Sequence, residues 1–374
     1  MNSYYDRALE LFLNGETNKT QIARQIVSEF DLDITVERVR RGISSYISKQ
    51  RDKALSEECD LQGIPMDQVK QYWFKGKHFS INVKGQSDPV TWDDVKDGII
   101  DEMKSYAPKY PAITRANRDS EGYLLVIDPA DVHIGKLSMA FETGDDYDSN
   151  IAVQRVRDGV MGILDKARGY NIDRVLFIGG NDILHIDTPR RTTTSGTPQD
   201  TDGMWYSNFM MAKKLYVEVL EMLMTVADVH FTFNPSNHDY TNGFFLADSI
   251  QSWFSNCDHI TFDCSLAHRK YFMYGKNLIG TTHGDGAKFQ DLPLLMAQEA
   301  SEHWSETKHR YVYTHHVHHK TSKDFVGVTV ESLRSPSGTD SWHHRNGYQH
   351  NPKAVEGFIH SKEFGQVARL THIF

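Results

Sequence analysis

Beyond residue 122, short apolar runs rich in β-branched and aromatic residues alternate with longer stretches in which apolar residues recur at helical spacing. The runs predicted as strands are Tyr123–Asp128, Arg174–Gly179, Val229–Asn234, Ile260–Asp263, Lys270–Tyr274, Leu278–Thr282, Arg310–Thr314 and Val326–Ser332. The predicted helices lie near residues 150–170, 204–227 and 289–307. This alternation predicts an α/β domain over residues 122–374, layered around mixed sheets.

Residues 1–58 instead show the pattern of three short helices. Apolar residues at helical spacing lie around Tyr5 and around Ile22, and Thr17 or Asn18 can cap the second helix. The third helix is predicted from about Thr35 to Lys53, with apolar and basic residues alternating along it. Its basic residues are Arg38, Arg40, Arg41, Lys49, Arg51 and Lys53.

The basic third helix supports two hypotheses. From Arg38 to Lys53, six basic residues and one acidic residue give a local net charge of +5. The pattern resembles a helix-turn-helix module whose basic recognition helix contacts phosphates and a groove of DNA. On that interpretation the nucleic-acid-binding residues are Arg38, Arg40, Arg41 and Lys49. The alternative is a small helical bundle for dimerisation or capping, with one solvated basic face.

Residues 59–121 are predicted to form a small α+β module and a linker. Aromatic and β-branched residues on both sides of Lys75-Gly76-Lys77 indicate a hairpin, and the stretch from Trp92 to Tyr106 indicates a helix. Prolines and charges between Ala107 and Glu121 are typical of a linker. The segment is either a second binding module or a spacer.

Composition narrows the class of protein. Hydrophobic residues make up 39% of the chain, no apolar run approaches the roughly 18 residues of a membrane-spanning helix, and the first ten residues do not resemble a signal peptide. Three cysteines are too few for a disulfide framework, so a reducing, cytoplasmic setting is expected. A net charge of −9 argues against a generally basic protein, although a local basic patch or bound cations can still attract nucleic acid.

The unusual count is 19 histidines, of which ten fall between His283 and His350. Several follow predicted strands and stand beside carboxylates or amides. The five segments are Asp131-Val132-His133, Asn181-Asp182 with His185, Asn237-His238-Asp239, His283, and His315-His316-Val317-His318-His319. Loops beyond the carboxyl ends of strands form the sites of layered α/β folds. The sequence therefore predicts one metal site to which five loops contribute.

This series strongly resembles the motifs of the calcineurin-like metallophosphoesterase superfamily, which run Asp-X-His, Gly-Asp-X-X-(Asp/His), Gly-Asn-His-(Asp/Glu), His and Gly-His-X-His. The resemblance covers about Tyr123 to Phe374 and implies a layered αββα domain with mixed sheets. Carried over position by position, it implies a site for two divalent cations that Asp182 bridges. The other ligands that it implies are Asp131, His133 and His318 for the first cation, and Asn237, His283 and His316 for the second.

Five residues leave alternatives open within this pattern. Asn181, Ser236 and His315 stand where the motifs have glycine, so each adds bulk to a tight loop. His315 and His319 could exchange roles with His316 and His318, and Asp128 could compete with Asp131.

The chemistry of phosphodiester hydrolysis agrees with this ligand set. Two cations about 3.5–4 Å apart neutralise the phosphate charge and provide a hydroxide nucleophile near neutral pH. Imidazole and carboxylate ligands favour Mn²⁺, with Fe, Zn or Mg as alternatives. His238 is assigned as the acid and transition-state stabiliser, and Asp239 as the residue that orients it. Asp182 and His185 complete the predicted catalytic set.

The segment after Asp182 directs the prediction toward DNA. His185 looks like the SbcD-like branch of double-strand-break repair nucleases, and Arg190 and Arg191 open a polar loop, from Thr192 to Gly203, that could grip flanking phosphates. The whole arrangement resembles DNA-repair-exonuclease-like metallophosphoesterases of bacteriophages and prophages, which implies the cytoplasm of a bacterium or of a phage-infected host.

The expected function is a metal-dependent phosphodiesterase, most simply a DNA nuclease. One alternative is an enzyme for small phosphoesters such as cyclic nucleotides, and another is a non-enzymatic DNA-binding factor with a vestigial metal site. The partners that the resemblance suggests are DNA, a second copy of the chain and a separate coiled-coil ATPase, with no membrane.

Overall fold

The computed structural model of the protein describes residues 4–62, 69, 71–75, 77–84, 96–99, 110, 113, 115 and 121–374. The chain divides into two compact units, Met1–Gly98 and Ile99–Phe374. Most of the predicted helix between Trp92 and Tyr106, and most of the predicted linker between Ala107 and Glu121, lie outside the described residues. No helix in the described part of the chain is both long and apolar enough to cross a membrane.

The N-terminal unit contains three helices and a hairpin. The helices are α1 (Tyr4–Leu13), α2 (Lys19–Glu29) and α3 (Val36–Gln62), and the antiparallel strands are β1 (Gln71–Lys75) and β2 (Ser80–Lys84). Asn18 caps α2, because its side chain accepts hydrogen bonds from the backbone N–H groups of Thr20 and Gln21. One buried apolar cluster joins the three helices and comprises Ala8, Phe12, Ile22, Ala23, Ile26, Val39, Ile43 and Ile47.

The hairpin packs against this helical cluster. Phe79 meets Phe12 edge to face with ring centroids 5.1 Å apart, and Phe74 packs against the same cluster. The backbone N–H of Lys77 also donates to the carbonyl of Leu13. The predicted division at residue 58 falls inside α3, whose helical spacing continues past Lys53 as far as Gln62.

The second unit is built on two mixed sheets. The six-stranded sheet has the order β13-β12-β3-β4-β5-β6 and the five-stranded sheet the order β10-β11-β9-β8-β7. Neighbours from β3 to β6 are parallel, as are β8, β9 and β11, whereas the outer pairs are antiparallel. The strands are β3 (Tyr123–Asp128), β4 (Ile172–Gly180), β5 (Asp228–Asn234), β6 (Ile260–Asp263), β7 (Arg269–Tyr274), β8 (Asn277–Thr282), β9 (His309–Thr314), β10 (Thr321–Phe325), β11 (Val328–Ser332), β12 (Ala354–Ser361) and β13 (Gly365–Ile373).

Helices cover the outer faces of both sheets. The helices are α4 (Ala140–Thr143), α5 (Ser149–Ala167), α6 (Trp205–Met224), α7 (Tyr240–Trp253), α8 (Leu292–Glu299), α9 (Ser301–Glu306) and α10 (Ser341–Arg345). α5, α6 and α7 pack on the six-stranded sheet, and α8 packs on the five-stranded sheet. Between the sheets lies a buried cluster formed by Leu124, Val126, Leu176, Ile178, Tyr274, Ile279, Tyr313, Leu333 and Phe358. The layers follow the order helix, sheet, sheet, helix, so the predicted αββα fold class is confirmed.

Strand β4 has side chains that point alternately to the core between the two sheets and to the core under the helices. Leu176 and Ile178 point into the cluster between the sheets. Phe177, one position away, contacts Tyr216 of α6 and Phe231 of β5 on the helical side. Since both faces are covered, the strand reads as a continuous apolar run.

Several elements were not predicted, and the predicted helix over 289–307 is divided into α8 and α9 at Ala300. The terminal hairpin β12–β13 was missed because polar residues interrupt its apolar pattern. Glu356 is fully buried in β12, where Arg334 and Arg369 pair with its carboxylate, and His360 is buried beside the hydroxyl of Tyr313. The sequence pattern also did not predict β10, α7 and α10.

The packing between the sheets predicts the effect of a core truncation. Replacing Leu176, which is 1% exposed, by Ala should lower the free energy of unfolding by about 2–5 kcal/mol through lost burial and a cavity. The matched control is Val326→Ala in the turn between β10 and β11, where the side chain is 98% exposed and a change within about 0.5 kcal/mol is expected. Urea unfolding followed by tryptophan fluorescence measures both, and equal midpoints for the two variants would contradict the assignment of the core.

Candidate metal centre

Five loops meet where parallel strands of the two sheets end. Three follow β3, β4 and β5, and two follow β8 and β9. Backbone hydrogen bonds connect neighbouring loops: Asp131 donates to the carbonyl of Asn181, Asn181 to that of Asn234, and His315 to that of His283. The carboxyl ends of the strands thereby bring side chains that are far apart in sequence to one place.

The backbone of these loops adopts the left-handed conformation at five predicted ligands. The φ angles are +53° at Asp131, +53° at His133, +59° at Asp182, +71° at His316 and +55° at His318. The described residues contain nine non-glycine positions with positive φ, so these five are more than half of them. Residues other than glycine hold this conformation at an energetic cost, and such positions concentrate at functional sites.

The first group of side chains comprises Asp131, His133 and His318, whose ligand atoms all lie within 4.8 Å of one another. Nε2 of His318 is 3.5 Å from Oδ1 of Asp131 and 3.3 Å from Nε2 of His133. Oδ1 of Asp131 is buried and accepts no hydrogen bond. This group is the one assigned to the first cation from the sequence.

The second group comprises Asp182, His283 and His316, again with ligand atoms within 4.8 Å of one another. Nε2 of His283 is 3.2 Å from Oδ2 of Asp182 and 2.9 Å from the amide oxygen of Asn237. Nδ1 of His283 is buried without a hydrogen-bond partner. The structure therefore places together the residues that were assigned to the second cation.

Asp182 lies between the two groups. Its Oδ2 is 3.2 Å from His283 of the second group and 4.0 Å from Nε2 of His133 in the first. Its Oδ1 accepts a hydrogen bond of 2.9 Å from the backbone N–H of His238. Asp182 therefore belongs to the second group and also approaches the first.

His185 and His238 form a third cluster with His133, whose ligand atoms also lie within 4.8 Å of one another. Nδ1 of His185 is 3.3 Å from Nδ1 of His133, and the rings of His185 and His238 stack with centroids 5.2 Å apart. His133 thus faces His318 with one ring nitrogen and His185 with the other. His238 was placed off the metals from the sequence, and the structure puts it within reach of this third cluster.

The predicted orienting contact between Asp239 and His238 is corrected by the structure. The carboxylate of Asp239 is buried and accepts hydrogen bonds from the N–H of Leu184, at 2.9 Å, and from the hydroxyl of Ser236, at 2.6 Å. Nδ1 of His238 instead lies 2.9 Å from the carbonyl oxygen of His185. Burial, followed by the charge of Asp182, raises the pKa of Asp239 to about 8. Asp239 therefore connects two loops and does not contact the imidazole.

The residues that replace motif glycines each have a partner. Asn181 adopts φ +54°, which asparagine tolerates better than most residues. The hydroxyl of Ser236 accepts a hydrogen bond of 2.7 Å from the N–H of Asp182. His315 pairs with Asp128 through Nε2, at 2.9 Å, and with the carbonyl of Thr282 through Nδ1. His315 and Asp128 are therefore occupied with each other and belong to neither group.

The protonation states of the two groups suit a cation site. Burial lowers the pKa of His133 well below its ordinary value and that of His318 to about 4, so both stay neutral. Burial opposes ionisation of Asp182, but the neighbouring charges of His283 and His238 lower the pKa of that carboxyl. Burial also opposes charge on His283, yet Asp182 and Asp131 raise the pKa of its imidazole to about 9. Near neutral pH the second group therefore holds a positive charge as a proton on His283, and a divalent cation that binds the neutral imidazole would displace this proton.

The groups open into a cavity of about 670 Å³. One wall comes from the loop between Thr193 and Asp200, in which the N–H of Thr194 donates to the carbonyl of Asn237. Arg190 and Arg191 are exposed and are not among the described residues that line the cavity. The predicted DNA contacts of α3 belong to the other unit, where Arg38, Arg41 and Lys49 are exposed.

The sequence analysis missed a second layer of residues beside the first ligand group, formed by Lys136, Asp340 and His343. Nζ of Lys136, which is 1% exposed, pairs with Oδ2 of Asp340 at 2.8 Å, and Oδ1 of Asp340 contacts Nδ1 of His343 at 2.7 Å. The ring of His343 stacks on the ligand His318, with centroids 5.0 Å apart and an angle of 12° between the planes. The signals available in the sequence were Lys136, directly after the first motif, and the Asp-X-X-His spacing of Asp340 and His343.

No family model matches this sequence, and no curated protein matches it. Among solved structures, the chain is similar to wild-type Vps29 of Entamoeba histolytica complexed with Zn²⁺, at 12% identity over 67% of this chain and 98% of that one, with a TM-score of 0.28. It is similar to a predicted phosphoesterase of Streptococcus pneumoniae at 14% identity, over 68% and 99%, with a TM-score of 0.27. It is also similar to a Staphylococcus aureus structure described as a 5′-nucleotidase, at 11% identity over 67% and 54%, with a TM-score of 0.32. At these identities and TM-scores, the chemistry of the chain rests on its own residues.

The position of Asp182 predicts which variant loses metal. The Asp182→Asn variant should lose most of the Mn²⁺ or Zn²⁺ that the wild type retains after dialysis, because a neutral amide cannot offset the positive charge of cations at the two ligand groups. The His238→Ala variant should retain the metal. Asp165→Asn, an exposed change on α5, is the matched control. Elemental analysis of the dialysed proteins measures the content. Full metal in Asp182→Asn would contradict the shared carboxylate, and loss in His238→Ala would assign the metal to the third cluster.

Proposed function

We propose that the chain is a metal-dependent phosphodiesterase of the calcineurin-like superfamily with a two-cation site. The observation that carries the proposal is the buried carboxylate of Asp182 between two groups of imidazole and carboxylate ligands. When bound, two divalent cations would neutralise a phosphodiester and lower the pKa of a water molecule. The ligand types favour Mn²⁺, Fe or Zn over Ca²⁺, which prefers an all-oxygen shell.

His238 is the residue of the chain that is best placed to move a proton. It lines the cavity, and its Nδ1 must donate to the carbonyl of His185, because a carbonyl oxygen only accepts. Nε2 is therefore the nitrogen available to the substrate. An imidazole held in this way can hold or deliver a proton at the leaving oxygen.

DNA is the proposed substrate class. It is supported by the basic stretch from Arg38 to Lys53 within α3 and by His185, which follows Asp182 in the manner of the SbcD-like nucleases. In α3, hydrogen bonds from Arg40 and Arg41 lower the pKa of Glu37 to about 2, so this carboxylate offsets part of the basic charge. Arg38 and Lys49 remain exposed for phosphate contacts.

A small phosphoester is the second candidate, and one observation favours it. None of the described residues that line the cavity is lysine or arginine, and Asp200 and Asp340 lie on its walls. A cavity of about 670 Å³ is also within the size range of small-molecule sites. Cyclic or linear nucleotides would fit such a site without a basic groove.

Hydrolysis assays test the proposal and separate the two substrates. The wild type should hydrolyse bis-p-nitrophenyl phosphate and labelled single- or double-stranded DNA with Mn²⁺ and not with a chelator. Asp182→Asn should lose nearly all turnover, and Asp165→Asn should behave as the wild type. Cleavage of the small diester with intact DNA would transfer the assignment to small phosphoesters, and silence on both would refute the proposed activity.

The basic face of α3 predicts salt-dependent DNA binding. Arg38→Gln, Arg40→Gln and Arg41→Gln together should weaken binding and reduce the slope of log affinity against log salt by about 1 for each phosphate that the protein no longer neutralises. The control is the neutralisation of exposed Lys166, Arg168 and Lys276 in the other unit. Fluorescence anisotropy between 50 and 200 mM salt measures both slopes, about the range over which such contacts act strongly. Unchanged affinity and slope would assign α3 to assembly.

A further inference from the structure

Two large aromatic side chains stand exposed at the mouth of the metal cavity. Trp342 is 62% exposed and Tyr348 56% exposed, and both line the cavity that contains Asp182 and His133. Their rings are in contact, with centroids 5.7 Å apart and an angle of 31° between the planes. Aromatic side chains normally gain stability from burial, so an exposed pair at the mouth of a site indicates a ligand that covers it.

The pair is close to the metal ligands. The ring of the ligand His318 stacks on His343 at 5.0 Å, and the ring of His343 meets that of Trp342 at 5.1 Å. Two ring contacts therefore connect Trp342 to the ligand His318 of the first group. A substrate whose phosphate is at the metal ligands and whose planar group is one nucleotide away would reach both.

The segment that carries the pair is held in place by buried charge. Asp340 caps α10 by accepting a hydrogen bond of 2.8 Å from the N–H of His343. The same carboxylate is paired with the buried Lys136 at 2.8 Å. The N–H of Tyr348 donates to the carbonyl of His343, so the backbone that carries both rings is tied to this anchor, which limits the conformational entropy that stacking costs.

We infer that Trp342 and Tyr348 form a stacking platform for the nucleobase next to the phosphate bound at the metal groups. The ligand class is a phosphodiester that carries a nucleobase, either within a DNA strand or in a free nucleotide. Every base offers a planar face, so aromatic stacking supplies affinity without a sequence preference. It also needs no lysine or arginine on the cavity wall. The inference rests on the proposed phosphodiesterase function.

Kinetics on two diesters with the same leaving group test the platform. Thymidine 5′-(p-nitrophenyl) phosphate carries a base, and methyl p-nitrophenyl phosphate does not. Trp342→Ala and Tyr348→Ala should each lower kcat/KM for the thymidine diester about 5- to 100-fold while the methyl diester changes less than about 2-fold. Trp342→Phe should recover part of the loss. Phe364→Ala, which removes an aromatic ring that is 76% exposed in the turn between β12 and β13, is the matched control.

A binding measurement keeps the platform testable if turnover is absent. With a chelator present, the wild type should bind a labelled thymidine tetranucleotide more tightly than an abasic tetranucleotide, and Trp342→Ala should abolish the difference. If the Trp342→Ala variant loses only the preference for the base-bearing oligonucleotide, the platform binds a base within a DNA strand. If it also loses kcat/KM on the thymidine diester, the platform binds nucleotides generally. Equal effects on the base-bearing and base-free ligands would overturn the platform. Hydrolysis of neither diester by the wild type would instead refute the phosphodiesterase proposal.

Discussion

The buried carboxylate of Asp182 is the group on which the arrangement of the other loops depends. The backbone N–H of Asp182 donates to the hydroxyl of Ser236, and the backbone carbonyl of Asp182 accepts from the N–H of His133. Asp182 therefore joins the loops after β3 and β5. Its side chain accepts from the N–H of His238 and contacts His283. A buried ionised carboxylate is costly unless it is paired and hydrogen-bonded, and here three loops from two sheets provide the partners. Removing any one of these loops would take away part of the compensation for this buried charge.

The need to pair buried charges also explains two ion pairs beside the ligand groups. Asp128 is fully buried and pairs with His315, and Lys136 is nearly fully buried and pairs with Asp340. Burial raises the pKa of Asp128 and lowers that of Lys136, in each case against the opposite charge of the partner. These pairs orient the loops that carry Asp131, His316 and His318 without contributing atoms to either ligand group. Partners of this kind commonly fix the orientation of metal-binding side chains.

Charge is distributed differently in the two compact units. The chain as a whole carries −9, whereas α3 of the N-terminal unit contains a basic stretch. The second unit places acidic and imidazole groups around its cavity, together with an exposed aromatic pair. A cation at the ligand groups, a base on the aromatic pair and phosphates on α3 would each be recognised by a different interaction. This division is compatible with a nucleotide-containing substrate for the second unit, whether or not the first unit contacts DNA.

Eight strands of the second unit and its α/β class followed from the sequence, because strand periodicity is a local property. The αββα layering and the two sets of candidate ligands were implied by the resemblance to the calcineurin-like motifs, and the order of strands within each sheet came only from the structure. The partners of Asp239, His238 and His315 depended on the tertiary structure, because each contact joins loops that only the sheets bring together. The hairpin β12–β13 was hidden by Glu356 and His360, whose burial is stable only beside Arg334 and Tyr313. Pattern alone cannot show whether a polar residue has such a partner, and the tertiary packing therefore decided which polar residues were buried, which were ligands and which aromatic rings remained exposed.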